Sequence, residues 1–107
     1  MTELITITTA TGTIDNARSI AEALVSDGLA ACVHILPAES WYRWKGDLHQ
    51  DAEHVLQIKT SSARAAAVES CIKRLHSYEL PEITVMAISG GSDTYLTWVR
   101  EQVTQVD

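Results

Sequence analysis

The hydrophobic period of this chain changes twice in the same way, and that repetition limits the folds open to it. Residues 4–10 alternate: Ile5 and Ile7 fall on one face, Thr6 and Thr8 on the other, a β-branched period of two that specifies a strand. After Thr11-Gly12-Thr13 the period lengthens. Ala17, Ile20, Ala21 and Leu24 recur at helical spacing over residues 14–27, with Thr13 or Asp15 able to cap the start and Gly28 able to end it. Leu29–Leu36 then reads Leu-Ala-Ala-Cys-Val-His-Ile-Leu. Such a run between Gly28 and Pro37 predicts a central strand buried on both faces. Pro37 has no N–H to give a ladder, so it marks a bulge or a sheet edge, and the strand resumes over Ser40–Trp44.

Lys45-Gly46-Asp47 is a turn signal, followed by a strand-like run from Leu48 to Thr60. The two runs form a hairpin with its tip near Gly46, longer than a domain of this size needs. Trp41 and Trp44 point to opposite faces of a regular strand, which leaves one aromatic outside the chain's own core and suited to a subunit contact. The second cycle begins with Ser61 or Ser62 as a helix cap and a stripe of Ala65, Val68, Ile72 and Leu75, with Cys71 packed beside it. Ile83–Ile88 is the fourth strand. Gly90-Gly91 ends it, and Ser92-Asp93 caps a last helix over 94–103 with Tyr95, Trp98 and Val99 on one side.

Strand, helix, strand, strand, helix, strand and an extra helix predict an α+β fold of the ferredoxin-like split β-α-β type, one domain over residues 1–107. Its paired helices cover one sheet face. The other face also carries apolar residues, and the simplest cover for it is further copies of the same chain.

Composition removes several classes of function. The net charge is −6 with eight scattered Lys and Arg, which argues against a nucleic-acid binder. No apolar run approaches the roughly 20 residues of a membrane span. The start, Met1-Thr2-Glu3-Leu4-Ile5, has no basic n-region, so the expected setting is the cytoplasm, with Cys32 and Cys71 as reduced thiols. There is no phosphate loop, nucleophile elbow or Ser-His-Asp order, so neither enzyme activity nor an organic cofactor is expected; a hydrolase using His76 and Glu79 would lack a nucleophile. Thr11-Gly12-Thr13 reads as a simple turn.

Metal ligands are the remaining chemistry. No CxxC or HxxxH spacing occurs, so a site would be assembled in space from Cys32, His34, Cys71, His76, Glu79 and Glu82; thiolate with imidazole suits copper or zinc. His49 and His54 fall in the hairpin and are expected to be exposed. The loop His76-Ser77-Tyr78-Glu79-Leu80-Pro81-Glu82 concentrates an imidazole, a phenol and two carboxylates between a helix and a strand, a common position for binding groups.

That loop, with Leu29-Ala30-Ala31-Cys32-Val33, Tyr42-Arg43-Trp44-Lys45-Gly46, Ile58-Lys59-Thr60 and Tyr95-Leu96-Thr97-Trp98, resembles CutA, the divalent-cation tolerance family, in order and spacing from Thr8 to Trp98. The resemblance implies a ferredoxin-like fold in a tight homotrimer of PII-like architecture, and tolerance and binding of copper or other divalent cations. It makes Cys32 the family's usual strand-two cysteine and matches His76, Tyr78, Glu79 and Glu82 to the family loop. Trp44, Lys59 and Trp98 match positions near the intersubunit cleft. Two positions depart. Ser77 stands where the family commonly has proline, which predicts a more mobile loop. His34 stands where asparagine is common, and in a regular strand it shares a face with Cys32, as a ligand pair would need. The metal-ligand expectation is therefore Cys32 with His34, or His76 with Glu79 and Glu82. The alternative is a PII-like sensor or scaffold whose cleft takes a small anion on Lys59, with Tyr78 and Trp44 as stacking surface.

Overall fold

The structure, a computed structural model, describes residues 3–104. Its elements run β1 (Leu4–Thr11), α1 (Ile14–Ser26), β2 (Cys32–Trp44), β3 (Asp47–Ser61), α2 (Ala65–Leu75), β4 (Thr84–Ala87) and α3 (Asp93–Val103). The strands form one sheet in the order β2-β3-β1-β4, and every neighbouring pair is antiparallel. Each strand–helix–strand unit is thus split by a strand of the other, the ferredoxin-like arrangement that the doubled period predicts. Among the described residues no helix is long and apolar enough to cross a membrane.

Register puts Ile5, Ile7, Leu56 and Ile58 on one sheet face. There α1 and α2 close over them with Ala17, Ile20, Leu24, Val68 and Ile72, all removed from solvent. Full burial of the Ile, Leu and Val side chains contributes about 1.5–3 kcal/mol each. Cys71 is buried in the same core. Thr13 caps α1 by accepting the N–H of Asn16 at 3.1 Å. The predicted serine cap of α2 does not form. A single 3-10 turn, Ser62–Arg64, leads into that helix, and neither entry has a side-chain cap bond.

Further expectations change or narrow. β2 is an edge strand, not a central one, and it starts at Cys32. Leu29 and Ala30 instead close the end of α1, both donating to the Leu24 carbonyl, while the Ala31 N–H reaches the Lys59 carbonyl. Pro37 pairs with His54 in unbroken register, so it marks the edge and not a bulge. β4 is shorter than predicted. Finally, α3 packs through Leu96, Val99 and Val103 against Leu4, Ala31 and Ile88, over one corner of the second sheet face. That i, i+3, i+7 stripe faces inward because it is the apolar one, and Arg64 Nε holds the Val103 carbonyl at the helix end at 2.7 Å. Tyr95 and Trp98 turn outward, with ring centroids 5.6 Å apart.

The hairpin outruns its helices. The 13 residues of α1 span ~20 Å. The 15 residues of β3 rise ~45 Å along the strand, the full 45 Å length of the molecule. Beyond the helices the hairpin is bare: Trp41 is 61% exposed and Leu48 73%. β4, the other edge, exposes all four of its residues, Met86 to 68%.

Trp44 pairs with Asp47, leaving a two-residue turn in which Lys45 has φ 49° and Gly46 φ 86°. Two left-handed residues in succession define the hairpin turn that matches strand twist. Gly46→Ala should lower stability in urea by about 1–2 kcal/mol, the usual penalty for a Cβ in that region, whereas Lys45→Asn should leave it equal or higher. Equal midpoints for wild type and Gly46→Ala would contradict this turn.

Candidate functional site

The predicted site residues gather in two places on the second sheet face. They stand about 20 Å apart, the reach of six residues along β3. The first lies where α3 meets the β2 edge. Cys32 sits opposite Lys59 and His34 opposite Gln57. Two residues apart on one strand, their side chains share a face, and Cys32 Sγ lies 3.6 Å from His34 Nε2. Cys32 is half-buried and His34 exposed. Tyr95 borders the same place: burial first, then the Cys32 thiol, raises its phenol above the ordinary 10.0. Trp98 packs beside Tyr95.

The second place is under the 76–82 loop. The N–H of Tyr78 donates to His76 Nδ1 at 3.0 Å, so that nitrogen is the acceptor. His76 Nε2 must then carry the proton, and it donates to the Ala10 carbonyl at 2.8 Å. With both nitrogens committed, His76 has no lone pair for a metal. Its predicted role as a ligand gives way to that of a buried strut from α2 to the end of β1. Ser77 is held as well. Asn16 Nδ2 donates to the Leu75 carbonyl at 3.0 Å, and its Oδ1 accepts the Ser77 N–H at 3.1 Å. The N–H that proline would lack is therefore used, and the expected gain in mobility is offset by a tether to α1.

These struts aim Tyr78 across Gly12, and the Tyr78 hydroxyl donates to Glu53 Oε2 at 2.8 Å. A Cβ on Gly12 would stand 2.9 Å from that hydroxyl, so the turn needs glycine for this approach. Burial, then the bond to Glu53 and its charge, pushes the Tyr78 phenol far above its ordinary 10.0. On the hairpin Tyr42 donates to Asp51, which raises the Tyr42 phenol chiefly through that bond. Tyr42 also stacks on His49 at 5.3 Å. Between loop and hairpin is an open cleft of about 740 Å³ lined by Tyr42, Trp44, Glu53, Tyr78, Glu79 and Glu82, among others.

Trp44, Tyr78, Glu79 and Glu82 are thus brought together, and Cys32, His34, Lys59 and Trp98 are gathered elsewhere. Among the described residues no three His, Cys, Asp or Glu side chains converge as a metal cluster. Among the described residues of the single chain no Lys or Arg lines the cleft, and Lys59 stands with the other cluster. Glu53, Tyr42 and Gly12 escaped the sequence reading. Gly12 was visible only as a turn glycine. Glu53 lies in a polar stretch of strand that carries no pattern of its own.

The family model for the CutA1 divalent ion tolerance protein matches residues 5–102. The divalent-cation tolerance protein CutA of Thermus thermophilus is 44% identical over 86 residues, covering 79% of this chain and 84% of that protein. Protein CutA of Homo sapiens is 40% identical over 90 residues, covering 83% of this chain and 50% of that one, so the chain spans about half the length of that relative. The solved structure of the periplasmic divalent cation tolerance protein CutA of Archaeoglobus fulgidus superposes with a TM-score of 0.92 at 33% identity, covering 94% of this chain and 99% of that one.

All three tyrosines have phenols raised above 10.0. The folded state then holds each proton more tightly than the unfolded chain does. The associated stability is intact below pH 10.0 and fades as pH climbs toward the folded values. Phenolate absorbance of the native protein should rise only above the pH at which the urea-unfolded chain titrates, with Tyr78 among the last to ionise. Gly12→Ala, which pushes the Tyr78 ring off Glu53, should lower that last step while the fold persists. A native titration that overlays the unfolded one would refute the phenol–carboxylate pairings.

Proposed function

This chain belongs to the CutA1 divalent ion tolerance family, and from that premise we propose that it binds divalent or transition-metal cations, copper among them, as a homotrimer that contributes to metal-ion tolerance and is not an enzyme. The observation that carries the metal reading is the 3.6 Å contact between Cys32 Sγ and His34 Nε2 at the edge of the sheet. A thiolate beside an imidazole is a soft donor set that favours copper and zinc over magnesium or calcium. One chain supplies two ligands, and further coordination would come from water or from another copy. The reading needs Cys32 reduced, as it would be in the cytoplasm, the setting we propose.

Trimer formation has its own physical support. The outer edges of β2 and β4 have no partner strand among the described residues of the single chain. The apolar side chains of the hairpin and of β4 are left in water. Unpaired edges beside exposed apolar surface favour association, and a head-to-tail contact repeated three times closes a ring.

Calorimetric titration of metal-free, reduced protein with copper or zinc should show a saturable site. Cys32→Ser and His34→Asn should each weaken it at least tenfold, about 1.4 kcal/mol, and His76→Ala should leave the affinity unchanged wherever the fold survives. Retention of full affinity by the Cys32→Ser/His34→Asn double variant would rule this pair out. Light scattering should return a mass near three times the 11.7 kDa chain; a stable monomer at micromolar concentration would contradict the assembly.

A further inference from the structure

We propose that His76 is a proton-operated latch on the 76–82 loop: the neutral imidazole holds Tyr78 against Glu53, and the imidazolium releases it. Nδ1 accepts the Tyr78 N–H at 3.0 Å, and Nε2 donates to the Ala10 carbonyl at 2.8 Å. A further proton can be added only at Nδ1, where it would point at another N–H and turn an acceptor into a donor. The bond to Ala10 survives that change and the bond to Tyr78 does not. Imidazole is the side chain whose charge ordinarily changes nearest neutral pH, so the loop hangs on the group most readily switched. The effect passes to the hairpin through one residue. The rings of His76 and Tyr78 have centroids 5.0 Å apart, and the Tyr78 hydroxyl is bonded to Glu53 on β3. Asn16 keeps the Ser77 N–H in either state, so release begins at Tyr78 and not at the helix end.

Every one of these bonds lies within one chain, and that chain alone buries His76 to 8% exposure. Another copy set against the hairpin adds contacts without offering Nδ1 a different partner, because that nitrogen is already occupied. The charged groups nearby do not compensate an added proton. From α2 come two cations, Lys73 paired with Glu69 and Arg74, whose Nη2 lies 3.8 Å from the Cys71 sulfur. From α1 come the uncharged Asn16 and an exposed Asp15. From β1 the ring meets the Ala10 carbonyl. From β3 come Glu53, engaged by Tyr78, and His54, opposite Thr11. Farther along the hairpin, Tyr42 and Asp51 are bonded to each other. Within the loop Glu79 is exposed. Tyr78 keeps its proton through the neutral range, because burial and Glu53 raise its phenol. Among the described residues no carboxylate is bonded to the imidazole, and with both nitrogens taken none has a place.

The latch stands apart from Cys32 and His34 and needs no metal. The test is NMR of the full, metal-free chain in its assembled form, from about pH 8 to about pH 5. The Tyr78 amide proton should lose its hydrogen-bonded downfield position and the Tyr78 ring resonances should shift. Both changes should share one midpoint with the His76 ring nitrogens. His76→Gln, which can accept and donate but does not titrate, should abolish the transition at Tyr78, and His54→Gln should leave it in place. Tyr78→Phe removes the bond to Glu53 and keeps the backbone N–H. The latch should then open more easily, moving the midpoint at position 78 to higher pH; this variant serves where His76→Gln does not fold. The proposal is overturned if the Tyr78 amide and ring stay unchanged over that range, if they follow His49 or His54 instead, or if Tyr78→Phe leaves the midpoint where wild type has it.

Discussion

The sheet is longer than anything this chain has to cover it, and most of its chemistry follows from that mismatch. Two helices of 13 and 11 residues bury the half of the sheet that holds Ile5, Ile7, Leu56 and Ile58. The hairpin continues past them with no helix above or below. A hydrophobic core alone would not favour so long a hairpin, because each added pair beyond the helices costs chain entropy and gains little burial. Its cross-strand contacts, such as Tyr42 with Asp51 and His49, hold it locally. They leave Trp41 and Leu48 in water. The fold is therefore complete in its helical half and open in its distal half, and the open half carries the cleft.

What converts an open sheet face into a cleft is the tethering of one loop. His76 suits that task for a specific reason. The loop must satisfy an N–H at Tyr78 and a carbonyl at Ala10, and a neutral imidazole offers one acceptor and one donor on opposite sides of a rigid ring. Asn16 does the same between Leu75 and Ser77. One side chain comes from the loop's own first residue and the other from α1, so the loop is anchored both to the end of β1 and to the helix beside it. Tyr78 inherits that position, and Gly12 leaves room for it. One of the residues offered by the sequence as a metal ligand is thus one whose two ring nitrogens are already bonded.

Local sequence carried much of the fold. The change of period located all seven elements, the Lys45-Gly46 turn and the caps at Thr13 and Ser92, because these depend on neighbours within a few residues. It misplaced β2 in the sheet. An unbroken apolar run is consistent with burial from both sides, but Leu29 and Ala30 close the end of α1, Ala31 packs against α3, and Leu36 is apolar on an edge. The distinction lies in the strand order, which no local pattern encodes. The same limit applied to the site. Cys32 and His34 could be paired from strand geometry alone. Their separation from Tyr78, Glu79 and Glu82 depends on where the 76–82 loop lands, and that is decided by Ala10 and Asn16, far away in sequence. Glu53 became significant only when Tyr78 was seen to reach it.

The two clusters differ in what kind of positive charge they suit. With a net charge of −6 and one ion pair among the described residues, the chain attracts cations in general, and that long-range field does not discriminate between them. Discrimination comes from the short-range groups. Cys32 and His34 present polarisable donors at a sheet edge, which reward a soft metal that can share electrons with sulfur. The cleft of the single chain presents carboxylates and ring faces, but too few donors converge among the described residues to replace the water of a small hydrated ion. Any preference for a soft metal over a hard one therefore rests with the edge pair, where sulfur and imidazole stand side by side.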